Sequence, residues 1–114
     1  MSLEIMILPA NESATRLSLN GSLDSETAPQ LEQALEQISA KTIIFNMKGL
    51  SFISSAGLRV IFATLKRQKT VGGKVAVCNM SPGVKKVFEI VKAMPGLNIF
   101  SSTEELDDYL ASFQ

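Results

Sequence analysis

Histidine and tryptophan are absent from this 114-residue chain, and cysteine and tyrosine occur once each. The missing histidine removes the Ser-His-Asp arrangement, the imidazole general base and the commonest metal ligand together. With Cys78 as the sole thiol, zinc and iron–sulfur sites lose both their usual ligands, and no internal disulfide can form. A reducing compartment is therefore expected. There is no Gly-x-x-x-x-Gly-Lys-Ser/Thr phosphate loop, and Gly72-Gly73 lacks the third glycine of a dinucleotide fingerprint, so it reads as a turn. No apolar run approaches the roughly 20 residues of a membrane span, and the N-terminus lacks a basic segment followed by a long apolar one. These gaps predict a soluble, cytoplasmic protein without metal or cofactor, not held to membrane or directly to nucleic acid. Carboxylate chemistry stays formally open, with Asp24 the only acid set between elements near a candidate loop. The expectation is a protein that is not an enzyme.

What is present suits one compact domain over residues 1–114. The hydrophobic fraction of 46% is enough to bury a core. The net charge is zero, yet the charges are segregated. Arg59, Lys66, Arg67, Lys69, Lys74, Lys85, Lys86 and Lys92 fall in one stretch where Glu89 is the only acid, while Glu104, Glu105, Asp107 and Asp108 gather at the C-terminus. Solvated helix faces account for such a pattern, and it can also orient a partner.

Two strands are expected first, Leu3 to Leu8 and about Thr15 to Leu19, joined by a turn at Pro9 to Ser13. Thr27 and Gln30 have capping-box spacing ahead of a helix to about Ile38, with Pro29 tolerated in its first turn and Leu31, Ala34, Leu35 and Ile38 on one face. Thr42 to Phe45 is a continuous apolar run, as in a strand covered on both faces. Leu58, Ile61, Phe62 and Leu65 form the inner stripe of a second helix from Ser55 to about Val71. Lys74 to Cys78 is the next strand, Ser81-Pro82 opens a third helix, Met94-Pro95-Gly96 closes it, and Leu97 to Phe100 is a last short strand. Ser102 and Glu105 have capping-box spacing before a fourth helix carrying Leu106, Tyr109, Leu110 and Phe113. The order β-β-α-β-α-β-α-β-α predicts an α/β fold: a mixed β-sheet of four to five strands with about four α-helices, an opening β-hairpin and then βα units. Loops at the carboxyl ends of such strands carry ligand or partner sites, and the Asn46 to Ser55 segment is expected to be one.

In that segment either Ser54 or Ser55 can cap the second helix. A phosphate on a hydroxyl there would lie at the positive end of the helix dipole beside free amides, and would change the outer surface by nearly two negative charges. Ala56 and Gly57 are expected to leave the approach unobstructed.

Gly21-Ser22-Leu23-Asp24-Ser25-Glu26-Thr27-Ala28, the run from Ile43 through Ser54-Ser55-Ala56-Gly57-Leu58, and Gly72-Gly73-Lys74 through Ser81-Pro82 occur in order, and together the chain resembles the STAS domain of bacterial anti-sigma factor antagonists. The resemblance spans essentially the whole chain. It implies a STAS fold and a protein that binds an anti-sigma factor serine kinase when unphosphorylated, frees the sigma factor, and is switched off by serine phosphorylation. A serine phosphatase of the metal-dependent class would reverse the modification. Matched position by position, Ser55 stands where the phosphorylated serine of Asp-Ser-Ser-Gly stands, Ser54 where the family often has aspartate, and Ala56 where it has the second serine. Ser54 is the alternative acceptor, and otherwise a cap. Asp24 matches an acidic residue on the kinase-facing surface, with a capping aspartate as the other reading. Asn46 occupies a position frequently aspartate in the family. Ser54, Ala56, Gly57 and Arg59 complete the expected partner surface, Arg59 as a pairing group for phosphate or an acidic partner or as a solvated side chain. Met94 is an apolar contact or a core plug. The alternative function is a phosphorylation-independent scaffold or adaptor in a stress-signalling or lipid-transport complex.

Overall fold

The computed structural model describes residues 2–11, 13–90, 97–100 and 104. Strands β1 (Leu3–Asn11) and β2 (Ala14–Leu23) form the opening hairpin, each longer than its apolar alternation suggests. Three βα units follow: α1 (Ala28–Glu36), β3 (Thr42–Ile53), α2 (Ser55–Thr70), β4 (Lys74–Cys78), α3 (Pro82–Ile90) and β5 (Leu97–Phe100). The strands lie in sequence order in one sheet, β1 antiparallel to β2 and every later neighbour parallel. The mixed α/β sheet expected from the sequence is therefore the one found. Of Ser102 to Phe113, where the sequence predicts a fourth helix, only Glu104 is described, and it is helical; the rest of that stretch and Met94 to Gly96 lie outside the described residues.

Alternation along the strands divides the sheet into two faces. Leu17, Leu19, Ile43, Phe45, Val75 and Val77 point to the face that shares a core with Leu31 and Leu35 of α1, Leu58, Ile61 and Leu65 of α2, and Val84 and Phe88 of α3. Complete burial of a side chain such as Phe45 or Ile61 contributes about 1.5–3 kcal/mol. Phe62 meets Phe88 edge to face at 6.4 Å, which ties α2 to α3. The opposite face holds a smaller cluster of Ala14, Ile44, Ala76 and Cys78. Cys78 is thus a buried strand thiol, as its apolar neighbours suggest.

Two polar side chains of α2 fix the connections beneath it. Arg67 donates to the carbonyls of Leu35 and Ile38 at 3.3 and 3.4 Å, placing a cation on the C-terminal end of α1 where the helix dipole favours one. Buried Gln68 donates from Nε2 to the carbonyls of Ala40 and Lys41 at 3.0 and 2.8 Å. Gly72-Gly73 is the turn read from the sequence: Gly72 has φ +71°, and a Cβ on Gly73 would strike the Lys41 carbonyl. Lys74 N–H then donates to the Lys41 carbonyl at 2.8 Å, starting β4 in register with β3.

Gln68→Ala removes both donors from a buried position and is expected to cost about 1–3 kcal/mol. Urea denaturation measures it, and a change under about 0.5 kcal/mol, typical of surface sites, would contradict this role for Gln68.

Candidate functional site

The site forms where β2 and β3 end side by side. Leu23 pairs with Ile53 in the parallel ladder, and Ser54 N–H donates to the Leu23 carbonyl at 2.9 Å. The next residues on each chain, Asp24 and Ser54, leave the sheet together and lead into α1 and α2. The segment from Asn46 to Ser55, expected as a loop, is instead mostly strand: β3 continues to Ile53 because β2 supplies a partner as far as Leu23. Only Ser54 separates strand from helix.

The first turn before α1 is held by a reciprocal pair. Asp24 Oδ1 accepts from the N–H groups of Glu26 and Thr27 at 2.9 and 3.1 Å, and Thr27 Oγ1 accepts from Asp24 N–H at 2.9 Å. Thr27 Oγ1 also donates to the Ser22 carbonyl at 2.8 Å, so Thr27 is buried and engaged on both sides. Thr27 is the N-cap of α1, the position read from the sequence, but its side chain makes no cap bond to the helix; its reciprocal pair is with Asp24 in the turn before, and not with Gln30. Gln30 reaches away and donates to the Leu3 carbonyl at 2.8 Å. The Asp24 carboxylate thus holds the turn that leads into α1.

At α2 the two serines divide the work that the sequence left undivided. Ser54 is the N-cap, extended at φ −103° and ψ 176°, and its Oγ accepts from Gly57 N–H at 3.4 Å. Ser55 is the first helical residue, exposed, and its hydroxyl makes no hydrogen bond to any described residue. The amides of Ser55 and Ala56 likewise meet no acceptor among the described residues, and α2 has no acid in its first turn. The hydroxyl thus sits at a helix end whose partial positive charge is not neutralised by its own sequence. Ala56 is half-buried.

Gly57 corrects an expectation. It is buried and does not belong to the outer surface: a Cβ there would lie 2.7 Å from Leu23 Cγ and 2.9 Å from both Ile53 Cγ1 and the Leu23 carbonyl oxygen. It is the point at which α2 closes on the paired ends of β2 and β3. The helical period could have revealed this, since Gly57 stands four residues before the core residue Ile61.

Arg59 is exposed, four residues after Ser55 and therefore one turn along the same helical face. It also borders an open groove of about 320 Å³ between α1 and α2, floored by Leu35 and Val60 and rimmed by Glu32, Glu36 and Arg67. Asn46 is elsewhere, at the end of the β3–β4 pairing, where its Oδ1 accepts from Lys48 N–H and Asn79 Nδ2, both at 3.1 Å. Either an amide or a carboxylate oxygen can accept those bonds, which accounts for Asn46 at this position. Sequence reasoning passed over Phe52, which is 46% exposed two residues before Ser54. The signal was the three-residue spacing of Leu50 and Ile53. Among the described residues no three carboxylate or thiol groups gather as a metal site, and no helix is long and apolar enough to cross a membrane.

The model of the STAS domain matches residues 6–106. BtrV of Bordetella bronchiseptica, a candidate anti-sigma factor antagonist, is 37% identical over 75 residues, covering 63% of this chain and 65% of that protein, just under two thirds of its length. The anti-sigma F factor antagonist of Paenibacillus polymyxa is 32% identical over 84 residues, covering 68% and 72%. Among solved structures, the anti-sigma factor antagonist SpoIIAA in its unphosphorylated form superposes with a TM-score of 0.81 at 25% identity, over 96% of this chain and 97% of that one. The phosphorylated form of SpoIIAA, from Bacillus, gives 0.72 at 25% identity over 94% and 99%.

Ser54→Ala is expected to cost about 1 kcal/mol by removing the cap, and Gly57→Ala about 1–3 kcal/mol through the close approach to Leu23. Ser55→Ala should stay within about 0.5 kcal/mol of the parent. Thermal melts of the three variants check the ranking. On the family model and on its relatives, this chain belongs to the STAS domain family.

Proposed function

We propose that this chain is an anti-sigma factor antagonist that docks on its anti-sigma factor through the surface around Ser55, and that phosphorylation of Ser55 breaks the complex. The observation that carries the reading is the division between the serines: Ser54 Oγ is engaged in capping, while Ser55 presents a free hydroxyl on the first turn of α2. A phosphate on Ser55 would meet unneutralised helix amides, with stabilisation of about 0.3–1 kcal/mol from the dipole, so the fold tolerates it. The outward effect is larger, since nearly two negative charges and three acceptor oxygens enter a docking surface. The protein acts as a receiver of phosphate and performs no catalysis. Asp24, Ser54, Ala56 and Arg59 flank the acceptor, and the kinase is the anti-sigma factor itself. A serine phosphatase of the metal-dependent class returns the unmodified form.

The relatives' names support the partner class, and the SpoIIAA pair of forms supports a phosphorylation switch. Incubation with the partner kinase and ATP should add one phosphate, located on Ser55 by fragmentation mass spectrometry, and Ser55→Ala should abolish labelling. Full labelling of Ser55→Ala would reject the assignment. Ser55→Asp should weaken the complex about tenfold or more, a difference of about 1.4 kcal/mol, and affinity equal to the parent would point to another face.

A further inference from the structure

Phe52 owes its exposure to a built irregularity in β3. In a regular strand the residue sharing a face with Leu50 is Phe52, because side chains alternate. Here Leu50 and Ile53 are both buried, three residues apart, at 0% and 2% exposure. The register explains it: Gly21 pairs with Leu50 and Ser22 with Phe52, so β3 carries one extra residue, Ser51, opposite consecutive residues of β2. Such bulges re-aim side chains, often beside functional sites. Ser51 Oγ donates to the Gly21 carbonyl at 3.0 Å and holds the bulge closed. The result is that Ser51 and Phe52 both turn out of the core before Ile53 re-enters it. Phe52 is the one aromatic among the large apolar residues left exposed in the described structure.

We propose that Phe52 is the aromatic anchor of the interface centred on Ser55, filling an apolar pocket with an acidic rim on the same folded partner protein. This rests on reading the chain as an anti-sigma factor antagonist. Three residues of extended chain span at most about 10 Å, so Phe52 and Ser55 fall under one partner footprint. The ring projects from a backbone already fixed in the ladder with Ser22, so docking it costs little further ordering. Burial of a rigid aromatic near an interface centre is the usual form of a binding hot spot. The charges identify the pocket's rim: on β3 and α2 between Met47 and Leu65 the charged side chains are Lys48 and Arg59, both exposed cations, while the neighbouring Asp24 is half-buried with its Oδ1 turned onto the amides of Glu26 and Thr27. An acidic rim complements them, and a phosphate on Ser55 would then face like charge across the interface.

The test uses the purified anti-sigma factor of the source organism and the unphosphorylated chain, by titration calorimetry. Phe52→Ala should bind roughly 30-fold or more weakly with an unchanged melting temperature, while Val71→Ala, which removes an exposed apolar side chain beyond the far end of α2, should bind as the parent does. Phe52→Trp supplies the only tryptophan in the chain, and its emission should shift to the blue and become shielded from acrylamide when the partner is added. Parent-like affinity of Phe52→Ala, or an unshielded tryptophan in a complex that calorimetry shows to be formed, would overturn the anchor. If Ser55→Asp still weakens the complex in that case, the antagonist reading survives. Failure of the parent chain itself to bind would remove that reading and the anchor with it.

Discussion

The hydrogen bond from Ser54 N–H to the Leu23 carbonyl closes the last rung of the β2–β3 pairing, and the site depends on it. Parallel strands joined by a helix need not end together. Here they do, and both chains turn into helices from adjacent positions. Asp24 and Ser54 are consequently neighbours although 30 residues apart; Asp24 Oδ1 holds the turn that leads into α1, and Ser54 Oγ caps α2. Gly57 makes the junction compact, since any side chain at that position would push α2 away from Leu23 and Ile53. The exposed surface is what remains: Ser55 on the first turn, Arg59 one turn further, and Phe52 on the strand just before.

This arrangement separates stability from switching. The groups that hold the junction, Ser54 Oγ, the Asp24 carboxylate, Thr27 Oγ1 and the Gly57 backbone, are engaged inside it. Ser55 Oγ is engaged with nothing described, so a modification there alters what a partner meets and leaves the cap intact. A helix N-terminus without acidic residues in its first turn adds a mild electrostatic preference for phosphate over hydroxyl. On the proposed function, a change of partner then needs no rearrangement, only charge on Ser55.

Much of this was legible in the sequence, because the apolar stripes of α1 and α2, the Gly72-Gly73 turn and the Ser81-Pro82 start are local patterns with local causes. The extension of β3 was not. Lys48, Gly49 and Ser51 look like loop residues, and the bulged stretch breaks the two-residue alternation by which strands are recognised. What makes it strand is a tertiary partner, β2, running equally far. Thr27 is the N-cap that its position predicts, but its partner is not legible: Asp24 and Gln30 both stand three residues from it, and only the fold shows Gln30 drawn off to the Leu3 carbonyl while Asp24 pairs with Thr27. For the serine pair, spacing allowed either hydroxyl to cap, and the resemblance to STAS domains favoured Ser55 as acceptor. The geometry of α2 gives a physical basis for that preference by occupying Ser54.

Titrating the isotope-labelled chain with its anti-sigma factor and following backbone amide resonances decides whether one compact surface around Ser55 meets the partner. The largest changes should cluster at Asp24, at residues 51–56 and at Arg59. Changes confined to the exposed β1 residues Met6, Ile7 and Leu8, with the Ser55 amide unmoved, would contradict it.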